Sequence, residues 1–145
     1  MAQPFLDLAL IVARLLDQVA ALKRIEEASG VSTAIDDIKA AAPVAYVIPI
    51  RDQVGSNVLA NAVSQQVTAQ FGILLGIKNV RDPLGAKARE ALTPVRSDVA
   101  DALLNWQPGG SYDKCEFAAG RLVQLANGVL WWMDEYRTRF EIRST

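Results

Sequence analysis

Along the first segment, apolar residues recur at helical spacing: Leu8, Ile11, Val12, Leu15, Leu16 and Val19. That period predicts a helix from Pro4 to about Val19, apolar nearly all round, either buried on a sheet or meeting a partner chain. Pro4 suits a first turn, where its missing N–H costs nothing. Residues Ala21–Ala28 fit a continuation of this helix or a short strand before Ser29-Gly30. A second helix is expected from Ser32 or Thr33, with Asp36 and Asp37 in the first turn as partners of the helix dipole. Pro43 ends it. Val44–Ile50 is β-branched and aromatic and predicts a strand, with Pro49 at its end or on a sheet edge. Arg51–Asn61, centred on Gly55-Ser56-Asn57, reads as a mobile loop.

The period then changes to two. Val67, Ala69, Phe71, Ile73, Leu75 and Ile77 alternate with Gln66, Thr68, Gln70, Gly72, Leu74 and Gly76, a strand with one apolar face. Counted from near Val63 it exceeds the usual length of about five or six residues. Its excess is expected to project beyond the domain and meet a neighbour. Asp82-Pro83 opens a third helix, as cap and first residue, with Leu84, Ala88, Leu92, Val95, Val99 and Leu103 as its buried stripe. Pro94 should kink or divide it, and Trp106 to Gly110 should end it.

Asn127-Gly128 is a type I′ hairpin signal. A two-residue loop there sets Leu125 opposite Leu130, Val123 opposite Trp132, Arg121 opposite Asp134, Ala119 opposite Tyr136, Phe117 opposite Thr138 and Cys115 opposite Phe140. The other face then matches Glu116 with Arg139 and Lys114 with Glu141, opposite signs each time. The expected architecture is α+β: a mainly antiparallel sheet of about four to five strands, helices on one face and a C-terminal β-hairpin.

Length and charge narrow the function. The 145 residues suit one domain with a real core. Fifteen basic and sixteen acidic residues give a net charge of -1, which predicts no strong attraction to nucleic acid or an anionic membrane. The first apolar run is too short to span a bilayer and lacks a signal peptide's flanks. With no histidine and one cysteine, an ordinary zinc site and the usual general base are missing. Cys115 falls on the expected core face without a base beside it, so a structural role is expected. Asp134 with Arg121 reads as a fold-specifying bridge. Gly72-x-x-x-Gly76 lies in a strand pattern, where small residues admit a close approach. No catalytic residue, cofactor site or metal site is expected.

The stretch Ala102–Arg143 carries a helix ending in Leu-x-x-Trp-x-Pro, then Gly-Arg-Leu, then Trp-Trp-x-Asp-x-Tyr-x-Thr. In that order and spacing, and with Pro43–Pro49 and Asn79–Gly85 before it, the chain resembles phage tail terminator proteins over most of its length. The resemblance implies one domain over residues 1–145 and a homo-oligomeric ring, usually of six subunits. Such a ring caps the completed tail tube and offers a surface for joining the head. It also implies the tube protein and a head-completion or neck protein as partners, and a place at the head-proximal end of the virion tail after assembly in the host cytoplasm. The expected subunit or tube interface is the polar set Arg51, Gln53, Asn57, Gln66, Thr68, Gln70, Glu135, Arg137, Arg139 and Glu141. Charges of this kind set register between subunits, or they solvate an exposed sheet face. Another head–tail connector and a small-molecule-binding module remain the alternative readings.

Overall fold

In the computed structural model, the described residues are 2–36, 43–78, 85–126 and 128–144. The first helix, α1 (Leu8–Gln18), starts later than Pro4 because Asp7 caps it, its carboxylate accepting from the Ala9 amide at 3.0 Å. Ile11 and Leu15 are fully buried, while Leu16 on the outer side is exposed. Chain 21–28 resolves in favour of a strand, β1 (Arg24–Glu27). The following helix α2 is described over Val31–Asp36 and begins at Val31. Asp36 therefore stands beyond the first turn, and Asp37 lies outside the described residues. The expected opening of helix three at Asp82-Pro83 also lies outside them. The helix α3 (Ala86–Leu103) is preceded by Gly85 at φ +77° and runs as one element through Pro94. Pro94 is on the exposed side, where water can take up the carbonyl that loses its bond.

Five strands form one sheet in the order β1-β2-β3-β5-β4, where β2 is Val44–Val54, β3 Val63–Lys78, β4 Glu116–Ala126 and β5 Val129–Ser144. The pair β1–β2 is parallel, joined through α2, and every other pair is antiparallel. Period two makes two cores. One face buries Ala45, Val47, Phe71, Ile73, Leu75 and Tyr136 beneath α1 and α3. The other buries Tyr46, Ile48, Leu74, Trp131 and Met133, with Val31, Ala34 and Ile35 of α2 packed on them. Helices thus cover both faces, not one, because β2, β3 and β5 are apolar on both sides over this half. Gly72 and Gly76 make room for that second core: a Cβ at Gly76 would stand 2.8 Å from the Trp131 ring, and one at Gly72 would meet Met133.

Two expectations in the strands change. The segment read as a loop from Arg51 is strand through Val54, paired with β3 to Val67. Pro49 lies inside β2, next to a register shift between Pro49 and Arg51. Its missing donor is tolerated there because β1 pairs only as far as Val47, so this half of β2 borders no other described strand. In the C-terminal hairpin Leu125 faces Leu130 as expected, and Gly128 has φ +75°; Asn127 is outside the described residues. A shift at Leu122/Gln124 then displaces the register, so that Arg121 faces Met133 and Gly120 faces Asp134, and a second at Phe117/Ala119 displaces it again.

Candidate assembly interface

Beyond the helices the sheet continues as three strands: the end of β2, the start of β3 and the end of β5. The register sets Gln66 opposite Glu141, Thr68 opposite Arg139, Gln70 opposite Arg137 and Gly72 opposite Glu135. The shift after Pro49 matters for the same face. It sets Arg51 opposite Gln70 and Gln53 opposite Thr68, turning both toward the side that Tyr46 and Ile48 occupy farther back. Nine of the ten expected interface residues thereby share one face, which follows from the paired registers and the alternation of side chains.

Asn57 is the exception. Its amide oxygen accepts from Leu59 and Ser64, at 3.1 and 2.8 Å, and its nitrogen donates to the carbonyls of Leu59 and Ala62 at 3.0 Å each. It organises the β2–β3 connection.

On the shared face the side chains hold one another. Glu116 of β4 accepts from Arg139 Nη1 at 2.8 Å and Arg137 Nε at 3.5 Å. Bonding to Arg139, then its charge, draws the Glu116 carboxyl below the ordinary carboxylate range. The matched pair Glu116–Arg139 therefore forms despite the shifted register, as a diagonal contact. Glu141 bonds Arg143 and the Ser64 hydroxyl, and both lower its pKa, Arg143 more. Lys114 is not its partner. Gln70 donates to Glu135 at 2.8 Å. Gln53, Gln66, Thr68, Arg137 and Arg139 line an open groove of about 340 Å³. Two amides, a hydroxyl and two guanidinium groups thus line it.

The expected Arg121–Asp134 bridge is replaced. Asp134 is 1% exposed and accepts from Arg96 of α3, Nε to Oδ2 at 2.8 Å and Nη2 to Oδ1 at 3.0 Å. Trp132 Nε1 donates to the same Oδ1 at 2.8 Å, and the Arg96 guanidinium lies over the Trp132 ring, 4.6 Å from its centroid. Arg121 is exposed on the opposite side, since a register slip of one residue reverses a side chain's face. Gly120 takes the place across from Asp134, where a Cβ would stand 2.7 Å from Oδ1. Arg96 was not anticipated; the signal was its position four residues after Leu92, on the flank of the α3 stripe. Beside this pair, burial pushes the Tyr136 hydroxyl well above its ordinary pKa. Burial likewise pushes the Cys115 thiol up to about 12, the opposite of an activated nucleophile. Among the described residues no three His, Cys, Asp or Glu side chains converge to hold a metal.

A family model described as phage tail terminator protein matches residues 1–145. No curated protein matches the chain.

Proposed function

Because this chain belongs to the phage tail terminator family, whose members are structural components of phage tails, we propose that it forms a closed ring, of six subunits. In this reading the ring caps the finished tail tube, ends tube growth and receives the head. The observation that supports an assembly surface is the gathering of Arg51, Gln53, Gln66, Thr68, Gln70, Glu135, Arg137, Arg139 and Glu141 on one face of a sheet extension. Both signs occur there, with Arg137 and Arg139 flanked by Glu135 and Glu141, so the face favours one alignment of a partner strand and penalises others. Repetition of a head-to-tail contact closes only when its rotation is right, and a preorganised charged face enforces such strictness. The partner of this face is the neighbouring subunit or the tube protein. Deleting the gene from its phage should yield tails of abnormal length that fail to join heads. Tails of normal length on infectious particles would end this reading.

A further inference from the structure

The strand extension ends in an apolar tip. Val54, Val58, Leu59 and Val63 are 52%, 76%, 46% and 37% exposed around the β2–β3 connection, an unusual concentration for a solvent-facing turn. The connection is also held in shape. Besides the four bonds of Asn57, the Gly55 amide donates to Gln66 at 2.8 Å, Val58 to Ser64 at 3.1 Å, and Gln65 Nε2 to the Gly55 carbonyl at 3.0 Å. A rigid apolar projection loses little conformational freedom on docking. Residues Gly55–Ala62 carry no charge at all.

The same chain carries an apolar cleft. Phe5, Leu6, Leu8, Pro49, Ile50 and Phe71 line an open cleft of about 210 Å³ between the N-terminal arm and β2. Phe5 is 57% exposed and Ile50 36%. Among the described residues, the charged ones lining it are Arg51 and Asp52, of opposite signs, so the cleft is near neutral, as the tip is. The far end of the tip, beyond Val54, cannot reach its own cleft. Seven residues of continuous strand separate Gln70 from Val63, roughly 23 Å at the usual rise, and paired strands do not fold back on themselves.

We propose that the β2–β3 tip of one copy seats in the cleft beside Ile50 of the next copy. The contact uses two different patches of one chain, which makes it heterologous, the type that repeats around a ring. The inference rests on the ring reading above, and it names the contact by which copies hold one another.

Two variants test it: Val58→Asp with Leu59→Asp for the tip, and Ile50→Asp for the cleft, with Phe5→Glu as a second cleft variant should Ile50→Asp melt early. Native mass spectrometry and sedimentation at rising concentration read the assembly. Each variant alone should assemble at least about tenfold more weakly than the unaltered chain. An equal mixture of tip and cleft variants retains one intact tip and one intact cleft, so it should accumulate dimers that grow no further. Rings formed by the tip variant, or a mixture that stays monomeric while the unaltered chain forms rings, would overturn the contact; the first result would assign the tip to the tube instead. An unaltered chain that never forms rings, alone or on tail tubes, would count against the ring reading itself.

Discussion

Asp134 is the residue on which the hairpin, α3 and the sheet converge. It is buried with three donors on two oxygens, and its partner Arg96 is about one-third exposed at the side chain. Asp134→Ala leaves a guanidinium facing a hole and an indole N–H without an acceptor. A loss of about 3 kcal/mol is expected in denaturant unfolding, whereas Arg121→Ala should unfold like the unaltered chain. Gly120→Ala should cost about 1–3 kcal/mol by overpacking, because the oxygen it meets is fixed by those donors. Cys115 gives a pH-dependent counterpart. Its thiol titrates near 12 when folded against an ordinary 9.0, so the folded state favours the proton. The stability this contributes is complete below pH 9 and is lost as pH rises from 9 toward 12. The native thiol should resist alkylation at pH 8 and react once the chain is unfolded; prompt native labelling would refute its burial. That Asp134 would be paired was legible in the sequence, but the partner was not. A hairpin turn fixes register only until the first bulge, and nothing in the residues Phe117–Ala119 or Leu122–Gln124 announces a bulge.

At the scale of elements, period-two alternation located β3 and β5 well, since each must serve one continuous face. It failed at the end of β2, where Arg51, Asp52 and Gln53 are polar and adjacent to Gly55 and so look like a loop. Those residues are strand because β3 supplies the ladder, with pairs out to Val54 and Val67, a long-range effect that no local window contains. The side chain of Asn57 does the rest, replacing four solvent contacts with bonds inside the turn. Asn57→Ala should leave the global melt within about 1 kcal/mol of the unaltered protein, since a solvent-facing turn contributes little to the whole. Amide exchange at Leu59 and Ser64, whose N–H groups lose their acceptor, should accelerate clearly. Unchanged exchange there would show that the backbone bonds of Gly55 and Val58 alone hold the tip. The pairing of α2 with the second core also escaped the sequence, because amphipathicity tells which side of a helix is apolar but not which face of a sheet it covers.

At the scale of the molecule, the polar face of the strand extension has to be told apart from an exposed sheet that is merely soluble. Intramolecular pairing satisfies Glu116, Arg139, Glu141 and Arg143 already, so the face is stable in the free chain and its pattern is available to a partner. Thr68 sits at its centre, across from Arg139 on one side and Gln53 on the other. Thr68→Arg puts a third cation beside Arg137 and Arg139. In the free chain that cation is hydrated at a half-exposed position, and the melting temperature should shift little. Within an assembly built on this face, the same cation is desolvated opposite a surface already matched to two arginines. Juxtaposed like charges there cost enough to weaken association by about tenfold or more. Phage carrying Thr68→Arg should therefore show a lower titre and tails of irregular length, while the purified protein remains folded. The defect should lessen as salt is raised, because screening acts on the repulsion and not on the apolar tip. A phage with normal titre and normal tails would assign these nine residues to solvation alone, and the assembly contacts would then have to lie on the tip and the cleft.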